Sequence, residues 1–165
     1  MNNKYILIIA IALILSISGI YLYSTDVKKT ENKTEENKTE ENKTSKGYSL
    51  KINNKVISLI VASSTDSQER GLSGMESLPN DSAMLFIFDF PDIYGFWMKD
   101  MKFAIDIIWL DADKKIVYLE KNATPESYPN AFMPTANSMY VIETNSGFVD
   151  QNGLVLGSVL DFSNN

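Results

Sequence analysis

The chain has 165 residues, enough for one ordinary domain and some additional segments but not for two full domains. It contains neither cysteine nor histidine, which excludes disulfides, thiol or Ser–His nucleophiles, and zinc or iron sites that need sulfur or nitrogen side-chain ligands. The formal net charge of −6 argues against nucleic-acid binding, because phosphate recognition requires a surplus of Lys and Arg.

Residues 1–23 form an apolar segment that predicts one transmembrane helix. Residues 5–23 carry no charge, and at about 1.5 Å per residue they give roughly 28 Å of helix, close to the thickness of a bilayer's hydrocarbon core. A cleaved signal peptide is the alternative, with Ser16-Ile17-Ser18 as its cleavage motif. We favour the uncleaved anchor, because the apolar stretch continues past Ser18 and no cysteine offers lipidation.

The orientation of this anchor follows from its position. Lys4 precedes the uncharged stretch 5–23 while Lys28 and Lys29 follow it, so the positive-inside rule is ambiguous. A hydrophobic segment at the extreme N-terminus usually acts as an export signal. We therefore expect a single-pass cell-membrane protein whose remaining chain faces outside the cytoplasm, or a secreted protein if the segment is cleaved.

Residues 24–46 predict a disordered spacer. Residues 31–44 read ENKT-EENKT-EENKT. Acidic and basic residues balance at six each over residues 26–46, and apolar side chains are almost missing, so nothing offsets the entropy of ordering. The repeat also places Asn32, Asn37 and Asn42 in N-x-T sequons, which are glycosylation acceptors in an exported chain. Duplication of a five-residue unit explains the three sequons equally well.

Residues 47–165 are the candidate folded domain. Asn53-Asn54 suits a hairpin turn, and Thr65 (N-cap) with Gln68 (N3) predicts a short helix that ends near Arg70 and Gly71. A second helix, capped by Asn145 or Ser146, runs to Gln151 and closes at Gly153, and residues 122–137 form a long connection. Strands are predicted at Tyr48–Ile52, 56–61, 83–88, 95–99, Ile105–Leu110, 115–120, 138–144 and 154–160.

The resulting fold class is α+β: a mainly antiparallel β-sheet or small β-barrel with two short helices, preceded by one transmembrane helix and a disordered spacer. Within the strand Ile105–Leu110, Asp106 shares a face with Ile108 and Leu110. A carboxylate among apolar side chains must be paired or hydrogen-bonded, or lie at the rim. Lys99 is the first expected partner and Arg70 the second. Such a contact would be a structural ion pair or a backbone clamp.

Four blocks of the domain resemble the domain of unknown function 192 family. They are Gly71-Leu72, the run from Gly95 through Phe96-Trp97-Met98-Lys99 to Asp100, the strand Ile105–Leu110 with Asp111, and Val141-Ile142-Glu143 followed by Gly147. The resemblance covers about residues 56–160. It implies the fold and a prokaryotic source, often with an export signal, but no established activity.

This chain departs from the family pattern at several positions. Asp100-Met101 occupies the place of the usual Asn-Thr, Ala104 that of a Pro, and Ser73 that of a Met. Asp100, which occupies the position of the family's Asn, is among the candidate ligand-binding residues.

The candidate site brings a few polar side chains to one pocket. Asp106, Glu143 and Lys99 would line it, with Trp97 as a stacking platform for a sugar or another flat ligand. Burial of Glu143 beside Asp106 would raise one pKa and leave the other group ionised, as general acid–base catalysis requires. The proposed ligand-binding residues are Trp97, Lys99, Asp100, Asp106 and Glu143, and the candidate catalytic pair is Asp106 and Glu143.

Two functions follow from these features. The favoured one is a membrane-tethered extracytoplasmic binding or accessory module for a cell-envelope glycan or protein, without enzymatic activity. The alternative is a carboxylate-dependent hydrolase acting on envelope polymers. The chain has no Gly-rich phosphate loop, nucleotide fingerprint or nucleophile elbow, and Asp111 and Asp113 lack the spacing of a calcium loop. We expect no metal, no cofactor and no nucleic-acid partner.

Overall fold

The computed structural model describes residues 47–164. The predicted membrane anchor, the spacer and the three sequons lie outside the described residues. Within residues 47–164, none of the helices has both the length and the apolar character needed to cross a membrane.

The described domain is built around one seven-stranded sheet. The strand order in this sheet is β6-β5-β8-β3-β2-β1-β9, and β4 with β7 forms a separate two-stranded ribbon. The strands are β1 Tyr48–Ile52, β2 Lys55–Ala62, β3 Ser82–Asp92, β4 Phe96–Trp97, β5 Ile105–Leu110, β6 Ile116–Ala123, β7 Ala131–Phe132, β8 Ser138–Asn145 and β9 Asp161–Asn164. The helices are α1 Thr65–Arg70 and α2 Phe148–Gln151, with a 3-10 turn at Pro125–Ser127.

The sheet is mainly antiparallel and open. Only β2 and β3 run parallel, and α1 lies in the connection between them, as a parallel crossover requires. The predicted α+β class is confirmed. The closed-barrel alternative is wrong, because β6 and β9 are the two edges of the sheet and do not pair with each other. A single bridge, Lys115 to Val159, joins the segments that precede these edges.

Local sequence signals determine the first hairpin and the first helix. Asn53 and Asn54 both have positive φ, +46° and +63°, which the predicted two-residue turn requires. Helix α1 covers the predicted residues and ends at Gly71, but its N-cap is Ser64 rather than Thr65. The Ser64 side chain accepts the backbone N–H of Ser67, and the Ser67 hydroxyl accepts the Ser64 N–H, so a Ser–Ser capping box forms one residue earlier.

The second helix does not have the predicted side-chain cap. Its N-cap is Gly147, in the left-handed region. The two predicted caps have other partners: the Asn145 amide donates to the carbonyl of Leu78, and the Ser146 hydroxyl donates to the Asn122 side chain. Long-range contacts therefore override the local capping pattern.

Two predicted strands differ from the structure. β9 is Asp161–Asn164 rather than residues 154–160, because Gly157 turns the chain at φ +88° and β9 pairs with β1, which places Phe162 opposite Leu50 in the core. Only Phe96–Trp97 of residues 95–99 is a strand, and its partner β7 lies inside the long connection.

The sheet has a hydrophobic core on each face. Side chains alternate along a strand, so neighbouring residues of β5 enter different cores, and β5 is buried along its whole length. The first core includes Leu50, Leu59, Leu85, Ile108, Leu110, Ile142 and Phe162. The second core includes Leu72, Phe86, Met98, Ile107, Trp109 and Val141.

Asp106 faces the first core and acts as a backbone clamp. It is 1% exposed; one carboxylate oxygen accepts the N–H of Asn122 in β6 and the other accepts the N–H of Val149 in α2, both at 2.9 Å. The predicted ion pair with Lys99 or Arg70 is wrong, because neither cation pairs with Asp106 among residues 47–164. The carboxylate satisfies two backbone donors and so joins an edge strand to the last helix.

Because Asp106 accepts two backbone N–H groups, we expect the substitution Asp106→Asn to destabilise the domain. The amide has only one acceptor oxygen, so one of the two N–H groups loses its partner and faces an NH₂ group instead. We expect the free energy of unfolding to fall by about 1–3 kcal/mol. Urea denaturation followed by the fluorescence of buried Trp109 measures the loss. Asp113→Asn, at an exposed turn position, is the matched control, and equal losses in the two variants would contradict the clamp.

Candidate functional site

The register of β5 and β8 separates the two predicted catalytic carboxyl groups. Ile107 lies directly opposite Glu143, and Asp106 lies opposite Thr144. Because adjacent residues of a strand point to opposite faces, Glu143 faces the second core while Asp106 faces the first. The predicted pocket that contains both carboxyl groups is therefore not formed.

Glu143 instead lines a cleft on the second-core face, which we call the Glu143 cleft. Its volume is about 250 Å³. Residues from α1 and the turn after it form one side, β3 contributes two phenylalanines, and the β3–β4 segment forms the opposite wall. The residues used below are Glu69, Arg70, Gly71, Phe86, Phe88, Tyr94, Phe96, Trp97 and Glu143.

The carboxyl group of Glu143 is buried without a partner. The residue is 4% exposed, and its Oε2 atom has no hydrogen-bond partner among the described residues. Burial raises the pKa of this carboxyl group from 4.5 to about 8, so that the neutral acid predominates at pH 7. The cause is burial alone and not the predicted neighbouring carboxylate. A buried polar atom without a partner is rare in folded proteins and needs an explanation.

Gly71 keeps the space beside this carboxyl group open. It ends α1 with φ +50°, a backbone conformation that residues with a Cβ atom rarely adopt. A Cβ at this position would lie 3.4 Å from the Phe86 ring and 3.6 Å from Glu143 Oε2. The absence of a side chain at Gly71 thus permits the backbone turn that ends α1 and also leaves space in the cleft beside Glu143.

Aromatic residues form the wall opposite α1, and a buried indole holds it in place. Trp109 in the second core donates its N–H to the carbonyl of Tyr94 at 2.8 Å. The Tyr94 ring stacks on Phe88 with centroids 3.6 Å apart, and Phe96 packs edge-on against Phe86 at 4.8 Å. These contacts connect the wall of the cleft to the core.

Trp97 is the exposed end of this wall. Phe96 turns towards the second core, and Trp97, the next residue, is 50% exposed. Tyr128 makes an edge contact with the Trp97 ring at 6.2 Å, and the Lys99 ammonium lies 5.9 Å from the centre of the same ring. Trp97 therefore lines the cleft with a half-exposed side chain, and its role as a stacking platform stays a prediction.

The other predicted ligand-binding residues lie outside the lining of the cleft. Asp100 is exposed, has φ +56°, and its backbone carbonyl accepts the N–H of Gly74 at 2.9 Å. The carbonyl of Lys99 accepts the Ser73 hydroxyl at 2.7 Å. Lys99 and Asp100 thus hold the turn that follows α1 through their backbones. Among residues 47–164, no three carboxylate side chains lie close enough together to hold a metal ion.

The aromatic residues of β3 and the following loop line the cleft but were not among the predicted site residues. Phe86 and Phe88 are two residues apart in a strand, so they share a face. Tyr94 follows six residues later, after β3 has ended at Asp92, and its ring stacks on Phe88. The alternation of Phe86 and Phe88 in the sequence could have predicted an aromatic surface. The position of Tyr94 could not be predicted in this way, because it depends on the hydrogen bond from Trp109.

These features define a small α+β domain with an aromatic cleft above a buried acid. The chain belongs to the domain of unknown function 192 family: the family model, described as Uncharacterized ACR, matches residues 48–162. The resemblance in the sequence motifs is therefore confirmed.

Two solved structures are similar to this chain. One is a protein of unknown function from Novosphingobium aromaticivorans DSM 12444, with 22% identity, a TM-score of 0.63, and coverage of 69% of this chain and 82% of that chain. The other is a proposed transcription regulator from Sinorhizobium meliloti 1021, with 24% identity, a TM-score of 0.64, and coverage of 70% and 91%. At these identities the likeness shows the fold alone. The comparison with curated proteins gave no match.

The raised pKa of Glu143 predicts that stability falls with increasing pH. The unfolded chain releases this proton near pH 4.5, whereas the folded chain retains it until about pH 8. Between these values the folded state binds more protons, so we expect the free energy of unfolding to drop by up to about 1.4 kcal/mol per pH unit. Urea denaturation at pH 5, 6, 7, 8 and 9 measures the slope.

The controls are two glutamine variants. Glu143→Gln removes the titrating group, so its stability should no longer carry this slope and should exceed that of the parent chain above pH 8. Glu69→Gln changes an exposed carboxylate at the same cleft and should retain the slope. Identical pH profiles for the parent chain and Glu143→Gln would refute the assignment.

Proposed function

We propose that the domain is a binding module that takes one ring of a cell-envelope saccharide in the Glu143 cleft. The observation that carries this proposal is the buried Glu143 Oε2, which has no partner among the described residues and lies in a cleft with aromatic walls. Ligand sites characteristically combine a mostly apolar lining with a few polar groups that orient the ligand. Glu143 supplies that polar group.

The size and lining of the cleft support a small, flat ligand. Drug-sized ligands occupy sites of roughly 300–1,000 Å³, whereas this cleft has about 250 Å³. The half-exposed Trp97 offers an indole face at the opening. A sugar ring has an apolar C–H face that stacks on such a surface and hydroxyl groups that reach a carboxyl group.

The predicted N-terminal anchor and spacer support a ligand of the cell envelope. The predicted anchor would hold the domain at the outer face of the membrane, and the predicted spacer would place it roughly 25–30 Å away. A saccharide of the cell envelope is the ligand available in that position. If the N-terminal segment is cleaved as a signal peptide, the same domain would bind the same ligand as a secreted protein. An envelope protein is the other partner that the anchored location allows.

A hydrolase acting on envelope polymers is the second candidate. A carboxyl group with pKa near 8 is protonated at neutral pH, as a general acid must be. Glycoside hydrolysis also needs a second carboxylate about 5–10 Å away. Asp106 does not meet this need, because it lies on the other face of the sheet. Glu69, which lines the same cleft, is the remaining carboxylate for that role.

Trp97→Ala tests the stacking platform. Loss of the indole should weaken saccharide binding about tenfold, equivalent to about 1.4 kcal/mol. The measurement is an NMR titration of the full-length ¹⁵N-labelled chain with glucose, galactose and N-acetylglucosamine. Tyr128→Ala is the control, because Tyr128 contacts Trp97 but does not line the cleft. Failure of all three sugars to bind the parent chain would reject the proposal, and sugar release from an envelope polymer would favour the hydrolase.

Gly71→Ala tests whether the ligand enters beside Glu143. Gly71 and Gly74 both have positive φ, so an alanine at either position introduces backbone strain. Only the methyl group at position 71 would contact Phe86 and Glu143, whereas nothing lies within 4 Å of a Cβ at position 74. We expect Gly71→Ala to weaken binding severalfold more than Gly74→Ala in the same titration. Equal effects would place the ligand elsewhere.

A further inference from the structure

We infer that the ligand group seated against Glu143 is an uncharged amide, so that the saccharide is one that carries an N-acetyl group. This inference rests on the proposed saccharide-binding function and specifies its ligand class. It follows from the apolar groups that surround Glu143 and from the lack of a hydrogen-bond partner for its Oε2 atom among residues 47–164.

The immediate surroundings of Glu143 are apolar. Its cross-strand neighbours are Met84 in β3 and Ile107 in β5, and the Phe86 ring and Gly71 lie beside its carboxyl group. The two ion pairs among residues 47–164 join Lys102 to Glu76 and Lys121 to Asp150, so neither involves Glu143. An isolated carboxylate is strongly disfavoured in such surroundings, and the group keeps its proton.

The titratable groups that line the same cleft do not change this conclusion. They are Glu69 and Arg70 of α1 and Tyr94 of the aromatic wall. Glu69 and Arg70 are both exposed, so their opposite charges are solvated at the rim. The pKa of Tyr94 is itself raised by burial and by Asp92 and Asp89, so its hydroxyl is neutral as well. The inner part of the cleft is therefore uncharged at neutral pH.

A neutral carboxylic acid matches an amide. The acid has one O–H donor and an acceptor oxygen, and an amide has one carbonyl acceptor and one N–H donor. The acid O–H can donate to the amide carbonyl without any change of charge, while the N–H of a trans amide points away from that carbonyl and takes another partner. The acetyl methyl group would then pack against the phenylalanine rings of β3. A plain hydroxyl group is a weaker acceptor than an amide carbonyl and brings no methyl group to the phenylalanine rings.

Charged ligand groups fit less well. An ammonium group would require Glu143 to release its proton and would form a buried ion pair, whose desolvation offsets most of the attraction. Arg70 at the rim would also repel it. An anionic group would approach a domain that carries eight basic and fifteen acidic residues from Lys51 onwards, a net charge of −7.

The experiment compares three sugars that differ at one position. N-acetylglucosamine, glucosamine and glucose are titrated into the full-length ¹⁵N-labelled chain at pH 6, 7, 8 and 9. We expect N-acetylglucosamine to bind at least tenfold more tightly than the other two at pH 6. Its affinity should fall above about pH 8, where Glu143 loses its proton. This sugar has no group that titrates in that range, so the pH dependence reports the protein.

Two substitutions connect the preference to Glu143. Glu143→Gln provides a weaker donor, so binding of N-acetylglucosamine should weaken severalfold and its affinity should become independent of pH. Glu143→Leu provides neither donor nor acceptor and should abolish the preference for the acetylated sugar. Asp113→Asn, at an exposed turn position outside the lining of the cleft, is the control and should retain both the preference and the pH profile.

The outcomes separate this inference from the function on which it rests. Equal affinity for glucose and N-acetylglucosamine would contradict the preference for an amide group but would still support a saccharide-binding site. Tighter binding of glucosamine, with an affinity that rises from pH 6 to pH 8, would contradict the amide and show that the ligand group at Glu143 is a cation. If no sugar binds, the proposed function fails and the inference fails with it. Binding of N-acetylalanine methylamide without any sugar would reject the saccharide and assign the amide to a peptide.

Discussion

The pairing of β5 with β8 is the constraint on which the rest of the structure depends. These strands lie side by side within the sheet, and β5 is buried on both faces. Their register sends Asp106 to one core and Glu143 to the other. A shift of one residue would exchange the two faces of the shifted strand and place apolar side chains where these acids now lie. The packing of both cores therefore determines the environment of each acid.

The two buried acids show how environment decides the role of one functional group. Asp106 accepts backbone N–H groups from β6 and from α2, so its charge is satisfied and its role is structural. Glu143 meets apolar neighbours and an opening, so it retains a proton and an unused hydrogen-bonding atom. A satisfied carboxylate contributes to stability, whereas an unsatisfied one reduces stability and is available to a ligand.

The cleft depends on contacts that are distant in the chain. Gly71 comes from the connection between β2 and β3, Trp97 from β4, and Glu143 from β8. The hydrogen bond from Trp109 to the carbonyl of Tyr94 fixes the aromatic wall to β5. The turn after α1 is held by the backbone of Lys99 and Asp100. The family motif residues around Gly71 and Phe96–Trp97 thus converge on one feature of the structure.

The sequence by itself determined the α+β class, most of the strands, the Asn53-Asn54 hairpin and the glycine end of α1, because these follow from side-chain alternation and from local backbone preferences. It also pointed to Trp97 and Glu143. Only the tertiary structure decided that Asp106 and Glu143 lie on opposite faces, that Asp106 binds backbone donors rather than Lys99, and that β9 begins at Asp161. Each of these depends on strand register and long-range hydrogen bonds. Register is set by how two cores pack together, and no local pattern in a single strand contains that information.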